Sequence, residues 1–285
     1  MAKGRKLIIA ALVALSACQG QPPAVVQEDH LVVEAWICSG QPPMVQLTSS
    51  IQPREQNQDA DALDEHVIRR AKVSISDGEN EVTLTGMPWK GCLPPYVYTT
   101  SRMIGEEGKT YTLTVETSTH KARAVTTIPA AVPLTSMATE RYGEREKAWL
   151  IRVYFTDPPG EHNYYKFFSR VHGVDSTFYP TRLNLIDDEQ LPDGADANAL
   201  ILRGARVFSE TEVHSYFPAG TTVQLRFCSM NEDMAGVWRI FDTDAIQASI
   251  PILSSYNNVP GNVEGALGYF AGYGCTEYSI TMPDE

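Results

Sequence analysis

From His30 onward, hydrophobic and polar positions alternate with a period of two along most of this chain. In the stretch 110–116, Tyr111, Leu113 and Val115 fall on one side and Thr110, Thr112, Thr114 and Glu116 on the other, the pattern of a half-buried antiparallel strand. Residues 30–37, 44–50, 67–77, 81–85, 96–100 and 122–129 read the same way, with Asp77-Gly78 and the segment 105–109 as turns. About seven short strands between residues 30 and 130 predict an immunoglobulin-like sandwich. The polar, acidic stretch 53–66 reads as an exposed loop, and 129–134, bounded by Pro129 and Pro133, as a hinge.

A second domain is expected over 135–285. Trp149, Ile151, Val153 and Phe155 alternate there with Leu150, Arg152 and Tyr154, and strand-like pieces recur at 163–171, 199–208 and 222–230. One stretch changes period. Met234, Val237, Trp238 and Phe241 recur at intervals of three and four, behind Glu232 and Asp233, which suit a helix N-terminus. The expected fold is all-β: two immunoglobulin-like antiparallel β-sandwich domains, 30–130 and 135–285, the second with one amphipathic helix at 232–247.

The first residues follow another rule. Lys3, Arg5 and Lys6 precede the apolar run 7–15, which is shorter than the roughly 20 residues that span a bilayer and has the form of a signal-peptide core. Leu15-Ser16-Ala17-Cys18 then matches a lipobox. Cleavage would leave Cys18 first in the mature chain and lipidated, with residues 1–17 removed as signal peptide and 18–29 as a polar tether. Each buried CH₂ of its acyl chains is worth about 0.8 kcal/mol. The membrane is therefore an expected partner, through the lipid anchor.

Composition narrows the function. The net charge is -12 at pH 7, so no basic surface is concentrated enough to hold a phosphate backbone, and nucleic acid is not an expected partner. Of 5 cysteines, Cys18 is assigned to lipid. The others fall two to each half, and an exported chain favours Cys38–Cys92 and Cys228–Cys275 bridges, free thiols being the alternative. The sequence has no C-x-x-C, H-E-x-x-H or G-x-S-x-G pattern, so a non-enzymatic protein without a cofactor is expected.

Two groups remain as candidate sites. Asp187, Asp188, Glu189 and Asp193 offer carboxylates for calcium, though not at EF-hand spacing; the alternative is a solvated acidic turn. Tyr164, Tyr165, Phe167 and Phe168 cannot all face one core from one strand, because successive side chains alternate. Tyr269, Phe270 and Tyr273 lie among glycines, which permit close approach of a ligand or partner. Tyr164, Tyr165, Tyr269, Phe270 and Tyr273 are thus candidate ligand or partner residues, exposed rings suiting sugar stacking and interfaces. The alternative is that they fill the core.

Several segments, in order, resemble one family: HLVVEAWICSGQPPMVQLTSS from His30, AKVSISDG from Ala71, GKTYTLTVE from Gly108 and TTIP from Thr126, then NYYKFFSRV from Asn163, LIDDEQLPDG from Leu185, YFPAGTTVQLRF from Tyr216 and NVEGALGYFAGYG from Asn262. The chain is similar in these to the domain of unknown function 4249 family. The resemblance implies an outer-membrane lipoprotein of Bacteroidota, periplasmic or surface-facing, with no established activity. It also implies a non-enzymatic accessory or binding role beside a TonB-dependent transporter, an outer-membrane protein partner. A stand-alone surface module for glycans or peptides is the alternative, and an exported hydrolase a third. The family is not defined by cysteines, so the bridges are a reading of this sequence alone.

Overall fold

The computed structural model describes residues 30–50, 60–182, 184–192, 194–204, 214–246 and 261–285. The lipobox with Cys18, the tether 18–29 and Asp193 lie outside the described residues. The strands, in chain order, are β1 (Leu31–Cys38), β2 (Met44–Ser49), β3 (Lys72–Ser76), β4 (Glu81–Thr83), β5 (Thr85–Pro88), β6 (Tyr96–Thr99), β7 (Thr110–Glu116), β8 (Lys121–Thr127) and β9 (Leu134–Arg141). They continue as β10 (Ala148–Thr156), β11 (Tyr164–Val171), β12 (Tyr179–Pro180), β13 (Ile186–Asp187), β14 (Asp196–Ile201), β15 (Phe217–Pro218), β16 (Thr222–Met230), β17 (Val263–Glu264) and β18 (Leu267–Thr281). One α-helix, α1 (Glu232–Ile246), matches the helix expected at 232–247. The described residues are all-β with one α-helix, as the alternation and its one change of period predict. No helix among the described residues is long and apolar enough to cross a membrane.

A 9-stranded sheet organises the molecule, in the order β12-β11-β16-β18-β1-β2-β6-β5, with β13 also paired to β11. Two smaller sheets pack against it: a 5-stranded one, β17-β8-β7-β3-β4, and a 4-stranded one, β14-β10-β15, with β9 also on β10. Strand alternation assigns the contacts. Leu31, Val33, Ala35 and Ile37 of β1 meet Tyr111, Leu113 and Val115 of β7 in one core, which includes Phe270. Val223, Leu225 and Phe227 of β16 meet Trp149, Ile151, Val153 and Phe155 of β10 in a second, which includes Met282. Phe270 and Met282 have the same parity along the last strand, so both cores lie on one face of the large sheet, here called the front.

This topology alters the expected division at 130–135. Residues 263–273 belong by sequence to the second half, yet β17 pairs with β8 and the start of β18 pairs with β1 in the first. The same 15-residue strand then pairs with β16. Its pairing with β1 is parallel, a departure from the antiparallel sandwiches expected. Alternation reports which face a side chain takes but not the direction of the neighbouring strand.

The segment 129–134 is not a free hinge. Val132 is 5% exposed, the Val132 carbonyl accepts from Thr276 Oγ1 (3.3 Å), and the Leu134 amide donates to Tyr278 Oη (2.8 Å). It lies along β18 between the two small sheets. The polar stretch 53–66 is also more than a loop: its described part forms a 3₁₀ turn, Ala60–His66, anchored by buried Leu63.

Candidate functional site

The other face of the large sheet, the back, carries the chemistry. Tyr164 of β11, Cys228 and Met230 of β16, Ala271 and Tyr273 of β18, and Cys38 of β1 form a third buried cluster under Met234, Ala235 and Val237 of α1. The helix is fixed at its start by Asn231, whose side-chain oxygen accepts from the Met234 amide (3.3 Å) in a capping arrangement.

Lys166 is the least expected member. Its side chain is fully buried and its ammonium donates to both oxygens of Asp242 on α1, each at 2.7 Å. It also lies 5.1 Å from the centre of the Trp238 ring, within cation–π range. Burial lowers the Lys166 pKa, and the Asp242 carboxylate opposes that shift. Trp238 Nε1 donates to Tyr273 Oη (2.9 Å), so helix and sheet are joined by polar contacts inside an apolar layer.

The cysteines regroup. Cys228 and Cys275 are cross-strand neighbours with sulfurs 2.7 Å apart, but both are free thiols in the structure, so the expected bridge is not formed. The expected partner of Cys38 is overturned. Cys38 contacts Cys275 through its thiol, while Cys92 sits in the β5–β6 loop with its sulfur against the Trp89 and Pro94 carbonyls. The Cys275 contact and burial push the Cys38 thiol up, and burial lifts Cys228 and Cys275. Burial pushes Cys92 up to about 12. These are poor nucleophiles, since the thiolate is the reactive form.

The acidic turn is joined by a histidine from a distant part of the sequence. Register places Tyr164 opposite Asp187, which brings the loop before β11 onto the turn after β13. His162 Nε2 then lies 2.9 Å from Asp187 Oδ1 and 3.5 Å from Asp188 Oδ1, with Glu189 Oε1 3.8 Å from the other ring nitrogen. Asp188 is held rigidly. Its Oδ2 accepts from the Asn163 amide (2.6 Å), and its own amide donates to the Asn163 carbonyl (3.2 Å). Asp187 Oδ1 caps the Glu189 amide (3.3 Å), and its Oδ2 meets Arg239 of α1 (3.3 Å). The Asp187 hydrogen bond raises the His162 pKa, helped by Asp188 and Glu189. His162, Asp187 and Asp188 are the described residues whose donor atoms converge closely enough to hold a metal.

The aromatic candidates are mostly structural. Tyr165 and Phe270 are 0% and 1% exposed and belong to the second and first cores. Tyr165 donates to buried Asp157 (2.6 Å). Tyr164 and Tyr273 are buried under the helix, and Tyr269 is half-buried beside them. Tyr164, Tyr165, Phe270 and Tyr273 therefore offer no free ring face of the kind sugar stacking needs. The glycines do permit a close approach, but of the chain to itself. A Cβ on Gly272 would meet the Thr127 carbonyl oxygen at 2.5 Å, and one on Gly274 the Pro129 oxygen at 2.3 Å. The linker backbone occupies the space that had suggested a ligand.

Comparison with known proteins adds a family and little else. A family model described as Domain of unknown function (DUF4249) matches residues 21–279. No curated protein matches the sequence. Among solved structures, the crystal structure of bovine butyrophilin is similar at 8% identity and a TM-score of 0.19, over 72% of this chain and 93% of that one.

Proposed function

The chain belongs to the family described as Domain of unknown function (DUF4249), and from that premise we propose that it is a lipid-anchored, non-enzymatic accessory or binding component of an outer-membrane TonB-dependent transporter. The observation that carries this reading is the sequence Leu15-Ser16-Ala17-Cys18 behind a short apolar core and three basic residues. Acyl chains on Cys18 would hold the folded part near a bilayer by the tether 18–29, which leads directly into β1 at the centre of the large sheet. Exposed Met87 and Trp89, on the edge strand β5 and the loop beyond it, supply apolar surface.

The stand-alone glycan- or peptide-binding alternative has less support, because four of the five rings that suggest it are buried. Mass spectrometry of the mature N-terminus tests the anchor: a diacylated Cys18 is expected, and an unmodified start elsewhere ends the proposal. Affinity isolation from detergent-solubilised outer membranes tests the partner. A transporter barrel is expected with the wild-type protein and should be lost with Cys18→Ala; recovery of no barrel protein counts against the accessory role.

A further inference from the structure

The geometry points to a divalent transition-metal site formed by His162, Asp187 and Asp188, with zinc the natural occupant. Donors on a coordination shell of about 2.1 Å radius are separated by about 3.0 Å at right angles and about 3.4 Å at tetrahedral angles. The separations of 2.9 and 3.5 Å from His162 Nε2 to the two carboxylates fall at these values. The donors come from two chain segments 25 residues apart, brought together by the β11–β13 register and by the reciprocal Asn163–Asp188 bonds. That support is independent of any ion.

A second observation separates this constellation from a solvated acidic turn. The Asp188 side chain is 6% exposed, yet only Oδ2 receives a hydrogen bond among the described residues; Oδ1 is directed at His162. A carboxylate withdrawn from water ordinarily has its acceptor sites filled. A cation shared by Oδ1 and Nε2 would replace their 3.5 Å ion-pair contact with two coordination bonds. His162, at 40% exposure, leaves a solvent-facing side through which an ion can enter and water can complete its shell. Arg239 on Asp187 Oδ2 and the Glu189 amide on Oδ1 orient this carboxylate toward His162, the part outer-shell partners play in metal sites. One imidazole with two carboxylates suits zinc, manganese or cobalt; calcium takes six to eight oxygens and no nitrogen.

The proposal does not depend on the membrane reading, and its test uses the reduced mature protein at pH 7.5. Zinc titrated against a chromophoric chelator should load one ion per chain. Cobalt(II) should give weak d–d bands without a thiolate charge-transfer band, which excludes the cysteine cluster as the site. His162→Gln, at an exposed position, should fold normally and weaken zinc at least tenfold; Asp188→Asn should do the same, and a large excess of calcium should not displace zinc. Failure to retain zinc, affinity unchanged in His162→Gln, or a thiolate band would each overturn the assignment. In the first of these cases His162 is simply a protonated imidazole caged by carboxylates.

Discussion

Two faces of the same sheet contrast in composition and in origin. On the front, β18 presents Phe270, Gly272 and Gly274, and β16 presents Val223, Leu225 and Phe227, against two small sheets whose own inward residues are aliphatic or aromatic. On the back, the alternate residues of these strands and their neighbours present Cys228, Cys275, Tyr273 and the buried Lys166, against one helix. Apolar surface removed from water holds the front together in proportion to area. The back combines burial with an ion pair, a thiol pair and a histidine–carboxylate cluster at its rim. The lesson is that alternation along a strand separates packing from chemistry. The front could be refilled by many residues of similar volume, while the back depends on particular partners.

The largest effect should come from the front. Phe227 stacks on Phe167 at 4.5 Å and contacts Phe155 and Tyr165, so Phe227→Ala should cost about 3–5 kcal/mol in equilibrium denaturation. Next comes the back. Asp242→Ala leaves the Lys166 ammonium buried without its partner and should cost about 3 kcal/mol, whereas the double change Lys166→Met with Asp242→Leu should lie within about 1 kcal/mol of wild type. If the double variant were as damaged as the single one, the pair would be a net stabiliser and the contrast between the faces would disappear. At the seam, Gly272→Ala places a methyl 2.5 Å from the Thr127 carbonyl oxygen and should cost about 2 kcal/mol, measured by thermal unfolding.

The smaller effects refine the back face. Lys166 has a folded pKa below its ordinary value of 10.5 because of burial. Between that lowered pKa and 10.5 the unfolded chain binds more protons than the folded one, so stability should rise with pH across that basic window. Lys166→Met should remove the slope, which denaturation at stepped pH would show. Mild oxidation followed by peptide mapping should yield a Cys228–Cys275 bridge and never Cys38–Cys92; the reverse would mean that the loop carrying Cys92 travels to β1.

Much of the fold could be read from residues alone, and the reason is local. Tyr111, Leu113 and Val115 face inward because the pleat allows nothing else, and the change to a period of three and four at Met234, Val237, Trp238 and Phe241 marked α1 nearly to its end residue. What could not be read is long-range. Val32 pairs with Leu267 and Cys38 with Tyr273, and nothing in either segment declares the other. Cysteine counting by halves therefore assigned Cys38 to the wrong neighbour, because the last strand crosses between halves. His162 escaped notice for the same reason: its partners lie 25 residues on, across a strand register. The glycines of β18 were recognised as points of close approach, but only the fold shows that residues 127–130 make it.

The parallel pairing of β1 with β18 has a temporal consequence. β1 takes one of its two neighbours from β18, with Val32 opposite Leu267. The sandwich that contains β1 thus lacks a central strand until β18 has been made, and pairing across so long a sequence interval is slow. Nascent chains of this design stay open while they are made, with unpaired strand edges that call for chaperones.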